Sequence, residues 1–250
     1  MGRHQKTNIM RKTIVLSLVM AFTLSCSAQW GKGIKGNGNV KTLERNVSDY
    51  DELAVSGWFD VDLVDGREGE LTLKGDENLL QHIITEVNNG KLIIKVEKGL
   101  NLKPSSTSNG IHITVPVESI DELSLSGSGD IVGKKTIKTS KFKAAMSGSG
   151  DITLDIESNS MTAAMSGSGD MNLSGSTGNL DVTISGSGDI RAYDLDADNV
   201  EATISGSADI KVTAKESLKA RVSGSGDISY RGNPKKVDTK TSGSGDISQG

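Results

Sequence analysis

The sequence predicts an all-β fold: a parallel β-solenoid, expected to wind right-handed, with coils of about nineteen residues behind an irregular N-terminal β region. Three observations predict it. The first is a repeat. The run Ser126-Gly127-Ser128-Gly129-Asp130-Ile131 recurs with its aspartates at Asp130, Asp151, Asp170, Asp189, Asp209, Asp227 and Asp246, separated by 21, 19, 19, 20, 18 and 19 residues. The second is the filling between copies. Leu125, Met146, Met165, Ile184, Ile204 and Val222 stand just before the motif serines, and Leu123, Ala144, Ala163, Val182, Ala202 and Ala220 stand two residues further back. Apolar residues on alternate positions mark strands with one buried face. The third is size: a unit this short cannot bury its apolar face alone, so successive units must stack and share one core.

Stacked at one strand spacing, seven coils give a core roughly 30 Å long. The mostly alanine column suits a narrow interior, where large side chains on every wall would collide. A propeller blade needs about twice this period, and calcium-binding nonapeptide solenoids use about half of it. A flexible Gly/Ser linker would lack the apolar columns.

In chain order, residues 1–28 read as an export leader. Arg11 and Lys12 precede an apolar run from Ile14 to Leu24, too short for a membrane anchor, and Met10 is a second candidate start. Cys26-Ser27-Ala28 before Gln29 suits a small-residue cleavage site, with the mature start near Gln29. Alternatively, Leu24-Ser25-Cys26 loosely resembles a lipoprotein box with Cys26 as the lipidated residue, which would make the membrane a partner. Cys26 is the single cysteine, so no disulfide forms within the chain and packing must supply stability. Loss of residues 1–28 removes Arg3, Lys6, Arg11 and Lys12 and no acids, taking the formal charge from −4 to −8. That balance speaks against nucleic acid as a partner and suits an exported protein of the periplasm, outer-membrane surface or extracellular space.

Residues 29–116 form the irregular β region. Val40 to Arg45 reads as a first strand, and Leu71-Thr72-Leu73, Lys91 to Val96 and Ile111 to Val115 as further strands. Asn88-Asn89-Gly90 is a hairpin turn, and Asp76 to Leu80 one helical turn capped by Asp76. Ser56-Gly57-Trp58-Phe59-Asp60-Val61 is a degenerate copy of the repeat. Both tryptophans, Trp30 and Trp58, lie in this half, which fits an atypical end that covers the solenoid core. The sharper reading makes Trp58 and Phe59 an exposed binding spot.

Regular coils fill residues 117–250, each a strand, a Gly-Ser-Gly corner, a second strand and a polar turn of variable length. One corner departs from the motif, with Ala208 in place of the second glycine. The outward column Glu122, Lys143, Thr162, Asp181, Glu201, Lys219 and Asp238 mixes signs as solvated faces do. The last coil shows no cap, which suggests self-association through its edge.

Several of these pieces together resemble a known family. Gly36-Asn37-Gly38-Asn39-Val40, Glu44-Arg45-Asn46-Val47, Val55-Ser56-Gly57, Gly75-Asp76-Glu77-Asn78-Leu79-Leu80 and Asn89-Gly90-Lys91-Leu92, followed by the Ser-Gly-Ser-Gly-Asp repeats, resemble the putative auto-transporter adhesin, head GIN domain family. The resemblance covers residues 36–250. It implies an exported β-helix-like protein of the Bacteroidetes type, in the cell envelope, with an adhesin label. A surface glycan or a protein is the partner expected of a module that binds through its faces. The family supplies no catalytic or binding residues to carry over.

The stacked aspartates are the main chemical feature. Carboxylates one strand spacing apart repel by roughly 0.9 kcal/mol per pair in water, so something must offset them. The structural answer is that each accepts hydrogen bonds from its corner's backbone N–H groups. The functional alternative is a cation ladder in which Asp130, Asp151, Asp170, Asp189, Asp209, Asp227 and Asp246 hold Ca²⁺. Each coil offers one carboxylate where calcium wants six to eight oxygens, so no cofactor is expected. The two serines per corner are expected to satisfy one another and the backbone; the alternative is a hydroxyl ladder facing polysaccharide or ice. His82 and His112 sit on irregular segments without a recognisable nucleophile, so no catalytic residue is expected. The sequence thus reads as a non-catalytic adhesion or scaffold module, the alternative being a carbohydrate-binding or carbohydrate-active β-helix.

Overall fold

The computed structural model describes residues 32–250. The expected leader, Cys26 and Trp30 lie outside the described residues. Among the described residues eighteen strands, one short α-helix and one 3₁₀ turn (Thr107–Asn109) follow in order. β1 (Lys32–Lys35) pairs in parallel with β8 (Leu100–Lys103) as a separate two-stranded sheet. The other strands belong to one wound sheet.

The regular part of that sheet is the solenoid. β11 (Ile131–Gly148), β12 (Ile152–Gly167), β13 (Met171–Gly186), β14 (Ile190–Gly206) and β15 (Ile210–Gly224) each make one coil, and each pairs in parallel with the next. β16 (Ile228–Arg231), β17 (Lys236–Gly243) and β18 (Ile247–Gln249) continue the stack. Equivalent motif residues lie directly above one another: Ser126 pairs with Ser147, which pairs with Ser166, which pairs with Ser185.

The predicted polar turn is a bend inside a continuous strand. In β12 the buried residues are Ile152, Leu154 and Ile156, then Met161, Ala163 and Met165. The parity of the alternation switches across Glu157 to Ser160, where the chain folds over and the ladder survives. Coil-length differences are absorbed by register shifts at Val132/Thr136, Asn172/Ser174 and Ala192/Asp196 rather than by loops. The buried apolar residues of the inward columns from Leu53 to Ile228 are between 0% and 3% exposed, so side chains fill the space between the walls. Thr177 is the polar residue of the coils buried there, and it is satisfied by Ser158 at 3.0 Å and the Asn179 carbonyl at 3.2 Å.

The degenerate copy is a true coil. β3 (Glu52–Gly57) pairs in register with β10 (Glu122–Gly127), so Ser56 lies against Ser126, and β4 (Asp60–Asp65) pairs with β11. Residues 66–121 are therefore an excursion between one coil and the next. Within it β7 (Lys91–Val96) extends β3, and β9 (His112–Val117) extends β4, both in parallel. β6 (Ile83–Asn88) turns back on β7 through Asn89 and Gly90, whose φ values of 52° and 78° make the expected hairpin turn. β5 (Glu70–Asp76) runs antiparallel to β9, and β2 (Val40–Asn46) antiparallel to β5.

Helix α1 (Glu77–Leu80) forms as the sequence suggested, but Asp76 does not cap it. Its carboxylate is fully buried and accepts from the Gly38 N–H and the Ser105 N–H, each at 2.8 Å, and from the Ser105 hydroxyl at 2.9 Å. Burial works against that charge, and the three hydrogen bonds outweigh it, holding the carboxyl below its usual range. A Cβ on Gly36 would lie 2.0 Å from Asp76 Oδ2, so only glycine fits beside it.

The aspartate ladder and the outer faces

Each motif aspartate from Asp130 to Asp227 does accept a backbone N–H, but from the next coil rather than from its own corner. Asp151 N–H donates to Asp130 Oδ1 at 3.0 Å, Asp170 to Asp151 at 2.9 Å, Asp227 to Asp209 at 3.0 Å and Asp246 to Asp227 at 2.8 Å. The bonds that the Asp130, Asp189 and Asp209 N–H groups donate, Asp189 to Asp170 among them, are longer, at 3.4, 3.2 and 3.3 Å. The partners of the Asp130 and Asp209 bonds are Asp60 of the degenerate copy and Asp189. The ladder is thus an inter-coil clamp that supplies an acceptor where the bent backbone cannot. Arg191 adds a second lock, reaching Asp170 Oδ2 at 2.7 Å and Asp189 Oδ2 at 2.9 Å, and these contacts raise its own pKa. Among the described residues no group of three or more metal-ligating side chains converges.

The corner glycines are there for close approach. A Cβ on Gly150 would lie 1.9 Å from the Gly129 carbonyl, and one on Gly148 would lie 1.9 Å from the Gly127 carbonyl, the latter also at φ 143°. Ala208 stands in the second-glycine column with its methyl fully buried, and the adjoining ladder bond at Asp209 is one of the long ones.

The motif serines depart from expectation. Ser126, Ser147, Ser166, Ser185, Ser205 and Ser223 are exposed, as are Ser128, Ser149, Ser168, Ser187, Ser207 and Ser225. Among the described residues none of their hydroxyls makes a hydrogen bond within the chain. Each is held by its backbone, as in Ser149 N–H to Gly127 O at 2.9 Å, and its hydroxyl points to water. The corners therefore present two parallel rows of hydroxyls along the rod.

Trp58 and Phe59 part company. Phe59 occupies the second-glycine position of its copy, which faces inward, and it is 0% exposed; its ring fills the space where a Cβ on Gly57 would go. It is core, not a binding spot. Trp58 takes the outward serine position, half-buried, with its ring 6.0 Å from that of Phe59. It lines a cleft of about 810 Å³ with Ile84, Lys95, Val96, Lys98 and Leu100.

His82 pairs with Glu97 at 2.9 Å, and His112 with Asp62 at 3.1 Å, an acid also held by Lys134 at 3.2 Å. The outward charge column mixes signs as expected: Lys91 bridges Glu52 and Glu122 at 2.8 and 3.2 Å, and Lys143 reaches Glu122 at 3.0 Å. Burial and the neighbouring Glu201 raise the pKa of Asp181. Sequence reading missed one cluster. Arg231 lies 4.0 Å over the Tyr193 ring, and with Arg191 and Lys211 the pair lines a depression of about 560 Å³. Both residues stand four after a motif aspartate, so counting columns from the aspartates would have found them.

Residues 49–234 match the family model described as putative auto-transporter adhesin, head GIN domain. Among solved structures, a putative adhesin from Bacteroides fragilis is similar at 24% identity and a TM-score of 0.79, covering 87% of this chain and 100% of that one. A putative lipid binding protein from Parabacteroides distasonis is 28% identical with a TM-score of 0.74, over 88% of this chain and 100% of that one. A putative adhesin from Parabacteroides merdae is 20% identical with a TM-score of 0.68, over 88% and 99%. No curated protein matches the chain.

Proposed function

Because the chain belongs to the putative auto-transporter adhesin, head GIN domain family, we propose that it works outside the cytoplasm as a non-catalytic adhesion or scaffold module, binding through the faces of its rod. The observation that carries this reading is the filled interior. With the buried apolar residues of the inward columns at 0% to 3% exposure, recognition falls to the outside of the coils. The most regular outer feature is the double row of free serine hydroxyls, beside walls of mixed charge. Such faces suit an extended polar partner, a surface glycan or a protein. The same filling leaves no room between the walls for an acyl chain, so the lipid-binding description of the Parabacteroides distasonis relative is not extended to this chain.

Carbohydrate binding or turnover is the second reading, favoured by the Tyr193 and Arg231 depression and by the stacked pair Asp181 and Glu201. A glycan array combined with a polysaccharide hydrolysis screen separates the two. Binding without turnover is expected. Hydrolysis of any polymer, lost in Asp181→Asn or Glu201→Gln, overturns the non-catalytic reading.

The place of action is the periplasm, the outer-membrane surface or the extracellular space. Cleavage before Gln29 gives a released protein, and lipidation at Cys26 a tethered one. The mass of the mature N-terminus decides between them.

A further inference from the structure

The depression that Tyr193 and Arg231 line gathers cations that the chain itself does not neutralise. Thr153, Asn172, Arg191 and Lys211 stand on four successive rungs of one outward column, each in register with the next. Three strand spacings make that row about 14 Å long, and every side chain along it can donate a hydrogen bond. Arg191 and Lys211 are neighbours with no acid between them, and like charges directly opposite one another destabilise a sheet. Arg191 is balanced by Asp170 and Asp189, at 2.7 and 2.9 Å. Among the described residues Lys211 and Arg231 make no ion pair and donate no side-chain hydrogen bond, and Asp194, the one acid lining the depression, pairs with neither. Both cations are exposed.

The ring beside these cations is placed by a bulge. Between the pairs Asn172–Arg191 and Ser174–Asp194, one residue of β13, Leu173, faces two of β14, Ala192 and Tyr193. A bulge re-aims the side chain it carries, and the Thr213 hydroxyl fastens this one by donating to the Tyr193 carbonyl at 2.7 Å. The Arg231 guanidinium lies 4.0 Å over the Tyr193 ring. That cation–π contact holds the fork in place and leaves its N–H edge for an oxyanion, which a guanidinium takes bidentately. We propose that this depression is a subsite for an acidic sugar of an extended polysaccharide, its carboxylate or sulfate held by Lys211 and Arg231 and its hydroxyls by Asn172 and Thr153, with the polymer running along the rod. A surface glycan as partner, proposed above, is the premise, and the subsite adds the charge such a glycan carries. The whole chain has a formal charge of −4, so attraction of a polyanion is local to this face.

Affinity electrophoresis of the purified chain in gels containing dextran, dextran sulfate or polygalacturonate tests the subsite. Dextran sulfate, polygalacturonate or both should retard the parent while plain dextran does not, and which of the two acts tells sulfate from carboxylate. Binding should weaken about tenfold in Lys211→Gln and in Arg231→Gln, and fade with added salt. Lys41→Gln, which removes an exposed charge from β2, should leave it unchanged. A footprint needs no variant: in the parent, acetylation of Lys211 should fall several-fold with the retarding polymer present, and that of Lys41 should not. Retardation by neither acidic polymer, equal retardation by plain dextran, an equal loss in Lys41→Gln or an unprotected Lys211 overturns the proposal. A glycan-array hit that survives both Lys211→Gln and Arg231→Gln keeps the glycan reading and overturns the acidic subsite alone.

Discussion

The strictest test of the stacked corners is Gly150→Ala. The added methyl would lie 1.9 Å from the Gly129 carbonyl, about 1 Å inside the closest approach that real Cβ atoms make. The obstacle is backbone, which a rotamer change cannot relieve. The corner must move, and with it Ser149 N–H to Gly127 O at 2.9 Å and Asp151 N–H to Asp130 Oδ1 at 3.0 Å. Overpacking costs about 1–3 kcal/mol, and weakening two hydrogen bonds, one of them to a carboxylate, adds about 2 kcal/mol. A loss of about 3–5 kcal/mol lowers Tm by roughly 6–20 °C in a chain of this length. The reverse change, Ala208→Gly, removes a methyl the corner already accommodates, and should stay within about 1 kcal/mol of the parent. Thermal melts by circular dichroism measure both. Amide exchange at the corner shows whether the damage is local, as a stack of repeats permits. A Gly150→Ala melt indistinguishable from the parent, or an Ala208→Gly loss just as large, would refute the close-approach argument.

Three further outcomes are expected. Asp76→Ala removes the acceptor of three buried hydrogen bonds and should cost about 3 kcal/mol or more, seen in denaturant melts. Since the folded carboxyl lies below its unfolded value, the parent keeps this stabilisation above about pH 4 and loses it as pH falls through the folded pKa; Asp76→Asn should flatten that acid limb. Tyr50→Phe breaks the buried bond from its hydroxyl to the Pro116 carbonyl and should cost about 1 kcal/mol. Burial first, and then Glu68, raises the pKa of that hydroxyl, so its contribution is complete below about pH 10 and fades above it as the unfolded chain ionises; a pH series of melts checks the limb. Millimolar Ca²⁺ should leave Tm nearly unchanged, because Oδ1 of each rung from Asp130 to Asp227 already accepts an N–H and Arg191 holds Oδ2 of Asp170 and Asp189; a rise of many degrees in calorimetry would restore the cation ladder.

The coils were legible because the repeat carries its own register: once aspartates recur at a near-constant interval, stacking follows from the need to bury alternate residues. The Asn89-Gly90 hairpin was legible because its turn demands those residue types. Phe59 was misread although the signal was present. Aligned on its serine, it stands where regular copies carry the buried second glycine, and Trp58 stands where they carry the exposed serine. The aspartate bonds were half legible: an N–H acceptor was expected, but a one-coil displacement of donor against acceptor leaves no trace in composition or spacing. Likewise nothing in the sequence separates a serine that bonds its neighbour from one that faces water. The partners of Asp76 were out of reach, since Gly38 and Ser105 come to it from segments that carry no repeat.

The N-terminal excursion makes physical sense as the closure of the stack. A parallel ladder leaves the first coil, β3 with β4, open on one side along both walls. β7 and β9 continue those walls one level in register, setting Leu92 against Leu53, Ile94 against Val55, Ile113 against Val61 and Val115 against Leu63. Beyond them the chain reverses: β6 and β5 run antiparallel, and Arg45 on β2 clips this layer by donating to the carbonyls of Leu80 and Ile83. The aspartate ladder ends one level earlier, in the parallel β4–β9 pair, because Asp60 lies opposite His112 where another aspartate would be needed. Repetition and closure therefore divide the work: the coils carry the uniform serine rows, while the closed end holds the apolar cleft beside Trp58. A ligand that reads regularity should engage the coils alone, and changes in residues 66–121 that preserve the fold should leave its affinity untouched.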